Sequence, residues 1–178
     1  NIRCTYCHNP ELLSPNKEGT ISEDEILDYL NKRKSCLDGI VITGGEPTIQ
    51  SDLKDFIIKV KSLGYKVKLD TNGTNPTIIQ ELINENLLDF IAMDIKAPFE
   101  KYEQICGVVN TDLVKQTMQI IIKSGIQHQF RTTYYKEVLN DDDIKAIKNL
   151  LPETSEFKLQ DCLPVQTIKP TLKVGHAF

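Results

Sequence analysis

The feature that most constrains the fold of this chain is a regular alternation of short apolar strands with amphipathic helices. Most predicted strands begin roughly 25 residues apart, and a segment with helical periodicity follows each of them. A strand, a helix and a second strand at this spacing form a right-handed βαβ unit, in which the two strands are parallel. The alternation therefore predicts an α/β fold built on a parallel sheet.

Local signals give the boundaries of these elements. Ser22 followed by Glu25 is typical of a capping box, which opens the first helix. The continuous apolar run at 39–42 predicts a strand buried on both faces. Ser51-Asp52 is predicted to cap the second helix, and Gly64 to end it. The other predicted strands are 65–69, 90–95, 128–135 and 157–160. The first predicted helix reaches about residue 34, and the later helices are 77–86, 112–123 and 141–151. A looser segment is predicted at 99–109.

The length of the chain limits how many βα units it can form. An eight-unit barrel typically needs about 250 residues, so 178 residues supply five or six units. We expect a partial (β/α)6 barrel of parallel strands, similar to a TIM barrel, with its first strand missing from this chain. An open doubly wound sheet is the alternative, because the same alternation produces it. One domain over 1–178 is expected, with a loop at 1–12 and a tail at 163–178 that has no predicted structure.

Polar side chains follow four successive predicted strands, at the point where each strand ends. Ligands bind at the carboxyl ends of parallel strands in both of these architectures. This edge of the sheet is therefore the predicted functional site, and its candidate residues are Glu46, Asp70, Asn72, Asp94 and Lys96.

Composition excludes several classes of protein. A net charge of −4 gives no basic surface for nucleic acid, and no apolar stretch approaches the roughly 20 residues that cross a bilayer. Five cysteines, odd in number and mostly isolated, do not form a disulfide framework. The cysteine usage favours a reducing, cytoplasmic location.

Two motifs carry a family resemblance. Cys4 and Cys7 are spaced Cys-x-x-Cys with Tyr6 directly before the second, and the run 43–47, Thr-Gly-Gly-Glu-Pro, follows the first strand. Together they resemble the radical S-adenosylmethionine (SAM) superfamily, whose signature is Cys-x-x-x-Cys-x-aromatic-Cys with a later Gly-Gly-Glu. The first cysteine of that signature would fall one residue before Asn1, so the chain is expected to begin inside its cluster motif and to be inactive as it stands. Half a zinc site or a thioredoxin-like pair are the alternatives for the two cysteines alone.

The resemblance implies two cofactors and a set of roles. Three cysteine ligands leave one iron of a [4Fe–4S] cluster open, and that iron binds the methionine end of SAM in this family. By resemblance, Cys4 and Cys7 are cluster ligands and Tyr6 lies near the adenine. The loop that holds the methionine amino group corresponds to Thr43, Gly44, Gly45 and Glu46.

Two further runs resemble the activating enzymes of glycyl radical enzymes. These are Asp70-Thr71-Asn72-Gly73-Thr74 and Met93-Asp94-Ile95-Lys96-Ala97-Pro98. The resemblance places Asp70, Asn72, Asp94 and the catalytic Lys96 around the methionine end of SAM, with a cation near Asp70 and Asp94. Arg131, inside an otherwise apolar and aromatic strand, either binds a ligand at the barrel mouth or belongs to a polar strand face.

The nearest resemblance is to anaerobic ribonucleoside-triphosphate reductase activating proteins. It implies a radical SAM oxidoreductase that forms a glycyl radical on a partner enzyme and receives its electron from a flavodoxin or ferredoxin-type donor. A radical SAM enzyme acting on a small molecule, similar to 7-carboxy-7-deazaguanine synthase, is a second interpretation. A non-catalytic module that keeps the fold without the cluster is a third.

Overall fold

The chain forms a five-stranded parallel sheet. A computed structural model describes residues 2–4, 20–107 and 109–162. Within them the strands are β1 Gly39–Ile42, β2 Lys66–Thr71, β3 Phe90–Asp94, β4 His128–Tyr134 and β5 Glu156–Asp161. The expectations for Tyr6, Cys7 and the tail at 163–178 lie outside the described residues.

The order of the strands decides between the two expected architectures. Each strand pairs in parallel with the next in the chain, which gives the order β1-β2-β3-β4-β5. A doubly wound sheet would instead reverse its order at a switch point. Right-handed crossovers in this order place the connecting helices on one face of the sheet. The predicted partial barrel is therefore confirmed, with helices on its outer face.

Six α-helices connect or flank these strands in the described part of the chain. They are α1 Glu23–Lys32, α2 Leu53–Ser62, α3 Pro76–Asn84, α4 Tyr102–Cys106, α5 Thr111–Ser124 and α6 Asp141–Asn149. The capping box of Ser22 and Glu25 is present, and Gly125 ends α5 in the left-handed conformation, with φ of +73°. None of the described helices combines the length and the apolar character that a bilayer crossing requires.

The core lies between the sheet and its helices. Alternate residues of the central strands turn to this side and are fully buried, together with the apolar faces of α2, α3, α5 and α6. Fully buried members include Ile57, Val60, Val67, Leu69, Ile79, Leu82, Ile91, Met93, Ile121, Phe130 and Ile147. The outer face of the sheet, which contacts the helices, is therefore mainly apolar, and the charged side chains of the central strands lie on the inner face.

Three local predictions were wrong in detail. β1 is not buried on both faces, since Val41 is 53% exposed; in the described part of the chain β1 pairs with β2 alone and forms an edge of the sheet. Asp52 occupies the N-cap of α2 but its side chain makes no capping hydrogen bond. The looser segment is more ordered than expected, because it contains a 3₁₀ turn, Phe99–Lys101, and α4.

Candidate functional site

The inner face of the sheet carries charged side chains at the ends of β2 and β3 and in the middle of β4. In β2, Leu69 and Thr71 are buried on the helix side, while Asp70 lies between them on the opposite face. Asp94 ends β3, and Arg131 is its direct partner in β4. Parallel pairing thus brings together side chains that are 24 and 37 residues apart in the chain (94 − 70 and 131 − 94).

Arg131 links two carboxylates across three strands. Its Nε donates to Asp94 Oδ1 at 2.8 Å and its Nη1 to Asp70 Oδ2 at 2.9 Å. Lys96 Nζ donates to Asp94 Oδ2 at 2.9 Å, and Lys68 Nζ lies 3.3 Å from Asp70 Oδ1. We call these five residues the charge cluster. Of the two interpretations of Arg131, its position on the inner face with both carboxylates favours the barrel mouth.

Burial strengthens the interactions inside the charge cluster. The side chains of Asp70 and Arg131 are each only 14% exposed. Burial alone would raise the pKa of Asp94, but the positive charges of Lys96 and Arg131 outweigh it and the pKa is lowered. Burial would lower the pKa of Lys96, yet Asp94 and then Cys4 outweigh it and the pKa is raised. These shifts hold Asp94 and Lys96 in their charged forms.

In the charge cluster, Oδ1 of Asp70 is available to accept a hydrogen bond. Asp70 Oδ1 is buried and accepts none, although Lys68 Nζ lies within ion-pair distance. The cluster as a whole holds three cations and two carboxylates. A zwitterionic ligand with one ammonium and one carboxylate group suits such a surface, because it can pair with groups of both signs.

The loop after β1 has an exposed part, residues 43–45, and a buried residue, Glu46. Thr43, Gly44 and Gly45 are exposed, and Gly44 has φ of +145° with no atom within 4 Å of where a Cβ would lie. Glu46 is only 5% exposed. The exposed backbone of the two glycines is the part of this loop that a ligand can approach.

The carboxylate of Glu46 holds two loops together. Its Oε1 accepts from Thr48 N at 3.2 Å, Thr48 Oγ1 at 2.6 Å and Thr71 Oγ1 at 2.8 Å, and its Oε2 accepts from Asn72 N at 2.7 Å. Because four internal donors occupy this carboxylate, its role in the described geometry is to fix the loop after β1 to the end of β2. Direct contact between Glu46 and a cofactor stays a prediction.

The turn after β2 is fixed by its neighbours. Asn72 Oδ1 accepts from Thr74 N at 3.0 Å and Thr74 Oγ1 at 2.8 Å, and Thr117 Oγ1 donates to the carbonyl of Gly73 at 2.7 Å. Gly73 has φ of +76°, and a Cβ there would lie 2.2 Å from Met93 Cε. Only glycine fits this turn without strain. Thr117 was missed in the sequence because nothing in the pattern of α5 distinguishes a buried threonine that bonds a distant loop.

Cys4 lies beside the charge cluster and beside a second thiol. Arg3 N donates to the carbonyl of Cys106 at 3.1 Å, and Cys4 Sγ is 3.6 Å from Cys106 Sγ. The hydrogen bond with Cys106 lowers the pKa of Cys4, and the positive charge of Lys96 also lowers it. Together these effects outweigh burial, which alone would raise the pKa. The same hydrogen bond, with burial, raises the pKa of Cys106. Cys106 lies in the segment 99–109 that was predicted to be looser, and no sequence pattern indicated that it would contact Cys4.

Tyr102 anchors the segment that carries Lys96. Its hydroxyl is fully buried in α4 and accepts a hydrogen bond from Lys96 N at 3.0 Å. Burial raises the pKa of this hydroxyl, so it stays protonated and also retains a donor. This support was not visible in the sequence, because it depends on how α4 packs under the end of β3.

The predicted cation near Asp70 and Asp94 stays a prediction. In the described ranges no group of three or more His, Cys, Asp or Glu side chains is arranged to hold a metal ion. The guanidinium of Arg131 already lies between the two carboxylates and hydrogen-bonds both.

Comparison with known proteins identifies the family. The model of the radical SAM superfamily matches residues 1–151. The chain belongs to the radical SAM superfamily. Enzymes of this superfamily use a [4Fe–4S] cluster and SAM, the two cofactors that the cysteine and glycine motifs implied.

Similar curated proteins include activating enzymes. A putative glycyl-radical enzyme activating enzyme of Methanocaldococcus jannaschii is 34% identical, over 92% of this chain and 70% of its own length. A pyruvate formate-lyase-activating enzyme of Clostridium pasteurianum is 25% identical, over 94% of this chain and 72% of its own length. A probable GTP 3′,8-cyclase of Pyrococcus horikoshii is 29% identical, but the match covers only 46% of that protein.

Solved structures share the fold. Streptococcus suis SuiB bound to S-adenosylmethionine matches 93% of this chain with a TM-score of 0.74 and 17% identity. A radical SAM methyltransferase from Sphaerobacter thermophilus matches 90% with a TM-score of 0.67 and 15% identity. This chain spans 39% and 52% of those two chains. At such identities the likeness supports the partial barrel and nothing finer.

Proposed function

We propose that this chain is the catalytic domain of an activating enzyme that forms a glycyl radical on a partner protein. The partner is a glycyl radical enzyme such as an anaerobic ribonucleotide reductase, and a flavodoxin or ferredoxin-type protein is the electron donor. The observation that carries the proposal is the charge cluster at the strand ends, whose Lys96 is near enough to Cys4 for that thiol to help raise the pKa of Lys96. The activating enzyme of M. jannaschii supports the choice of substrate class.

The chain carries two of the three signature cysteines, and its strand ends carry charges of both signs, which suit the methionine end of SAM. The cysteine thiols of the N-terminal loop would hold the cluster, and buried Cys4 is the described member of that set. The methionine end of SAM carries an ammonium and a carboxylate, which matches a surface with both signs of charge. Asp70, with its buried and unbonded Oδ1, would accept from the ammonium, while Lys96 or Arg131 would pair with the carboxylate. When bound, the reduced cluster would supply one electron for cleavage of a carbon–sulfur bond of SAM, which yields methionine and a 5′-deoxyadenosyl radical.

The chain's own residues orient the substrate rather than transfer protons. Asp94 and Arg131 keep their charges at neutral pH, because the pKa of Asp94 is lowered and the pKa of Arg131 is raised. Glu46 and Tyr102 fix the loops around the charge cluster, so little reorganisation is needed when a ligand binds. A radical needs a site that excludes water, so the partner's glycine loop would act partly as a lid over the strand ends.

The test is radical formation on a partner protein. The full-length enzyme, with its cluster reconstituted without oxygen, is mixed with SAM, a chemical reductant and a candidate glycyl radical enzyme. Electron paramagnetic resonance should then show a glycyl radical, and replacing the glycine of the partner's radical site with alanine should abolish it. The cytoplasm is the proposed location, since cluster thiolates need a reducing compartment.

A small-molecule substrate is the second candidate, and the P. horikoshii relative favours it. An enzyme that binds a cluster and cleaves SAM but never forms a radical on any partner would support this alternative and contradict the activase. A protein that takes up no iron under the same conditions would instead support the non-catalytic module.

A further inference from the structure

Two buried thiols lie together beside the charge cluster. Cys4 Sγ and Cys106 Sγ are 3.6 Å apart, and both residues are buried, at 9% and 1% exposure. The hydrogen bond from Arg3 N to the Cys106 carbonyl holds the two backbone segments side by side. The other two described cysteines differ: Cys36 is exposed and Cys162 is half-buried, and all four are free thiols.

We infer that Cys4 and Cys106 form a reversible disulfide when the protein lacks its cluster and meets a peroxide. A disulfide bond is about 2.0 Å long, so the sulfurs must approach by roughly 1.5 Å. A rotation of either side chain, or a small shift of the short segment around Cys4, provides this. Cys106 is brought near Cys4 by the packing of α4 and not by sequence spacing, since 102 residues separate them.

The chemistry takes two steps and needs only hydrogen peroxide. The Cys4 thiolate attacks one peroxide oxygen; the O–O bond breaks, an S–O bond forms, and hydroxide leaves and is protonated to water. The Cys106 sulfur then attacks the Cys4 sulfur; the S–O bond breaks, the S–S bond forms, and the oxygen leaves as water with the thiol proton. The two thiols lose two electrons in all, and one peroxide becomes two waters. Cys4 is buried but not completely enclosed, since 9% of the residue's surface is exposed, and hydrogen peroxide is a small molecule.

The disulfide would have two consequences, which rest on the proposed function. A sulfur held in a disulfide cannot serve as a thiolate ligand, so the oxidised protein should not accept iron. The disulfide also stops the oxidation of Cys4 before the irreversible sulfinic acid stage, and a thiol reductant restores the ligand. Cys106 would then be a protecting residue for the cluster site and not a cluster ligand.

Peptide mapping tests the disulfide directly. The iron-free chain is treated with hydrogen peroxide, its remaining thiols are alkylated, and it is digested with trypsin. Cleavage releases peptide 4–17, which contains Cys4 and Cys7, and peptide 102–115, which contains Cys106. The two peptides should appear joined, with the loss of two hydrogens, and should separate on reduction. The joined peptide should persist in Cys7→Ser and in the control Cys36→Ser, and disappear in Cys4→Ser and Cys106→Ser.

Three results would overturn the inference: no joined peptide, a disulfide confined to peptide 4–17, or a joined peptide that survives in Cys4→Ser. Iron uptake gives a second readout on the full-length protein. Peroxide should block uptake by wild type until a thiol is added, whereas Cys106→Ser should stay blocked after the thiol. Full recovery of Cys106→Ser would contradict the protecting role. If reduced wild type takes up no iron at all, the proposed function fails while the peptide map still decides the disulfide.

Discussion

Replacing Arg131 with methionine removes the centre of the charge cluster while keeping the length of the side chain. Two hydrogen bonds between charged groups are lost, to Asp94 and to Asp70. Charged hydrogen bonds contribute about 1.5–3 kcal/mol each, and stranding a fully buried charge costs about 3–5 kcal/mol. In the variant, Asp94 still has an ion pair with Lys96, and Asp70 still has one with Lys68. The side chains of Asp70 and Asp94 are 14% and 26% exposed, so water partly screens their charges. We therefore expect the free energy of unfolding to fall by about 2–3 kcal/mol at pH 7.

The dependence of this loss on pH tests its electrostatic origin. The lowered pKa of Asp94 means that its stabilisation is present above its unfolded value of about 3.9 and is lost as pH falls through the folded value. The difference between wild type and Arg131→Met, measured by urea denaturation, should therefore hold from pH 7 down to about pH 4 and shrink as the pH falls further. The matched control is Lys145→Met, which breaks an ion pair with Asp142 that is 72% and 87% exposed and should leave stability unchanged. Equal effects of the two substitutions, or a difference that does not change with pH, would refute the reasoning.

Three further predictions concern the loops and the cluster. Gly73→Ala should destabilise the protein by about 1–3 kcal/mol in thermal or urea denaturation, because of its positive φ and the close side chain beneath it; a neutral effect would show that the turn relaxes. Tyr102→Phe should cost about 1–3 kcal/mol by the same assay, because the partly buried N–H of Lys96 loses its acceptor; no loss would mean that another acceptor replaces it. Cys4→Ala should abolish the visible absorption of the reconstituted cluster while Cys36→Ala keeps it, and an intact spectrum in Cys4→Ala would exclude this ligand.

Much of the fold was predictable because its signals are local. The capping box of Ser22 and the apolar runs of the strands depend on near neighbours, and the repeated spacing of strands and helices indicated parallel pairing. The exposure of Val41 was not predictable, because an apolar run does not show which strand lies at a sheet edge.

The grouping of the candidate residues was predictable from the sequence, and the contacts among them were less so. Sequence placed Asp70, Asp94 and Lys96 at one edge of the sheet, because parallel strands end together. The link that Arg131 makes between Asp70 and Asp94 depends on the register of three strands, which motifs do not encode. The closeness of Cys106 to Cys4 likewise depends on tertiary packing over a long separation in sequence.

Calorimetric titration of SAM into the cluster-loaded, full-length protein tests the central claim most directly, that the charge cluster binds the methionine end of SAM. Removing one partner of a buried charge contact costs about 2–5 kcal/mol, so Lys96→Ala should weaken binding at least tenfold. Circular dichroism must show that the variant remains folded. Exposed Lys34 is the control, and Lys34→Ala should bind SAM as wild type does. Unchanged affinity in Lys96→Ala, or equal losses in both variants, would contradict the placement of SAM at these strand ends.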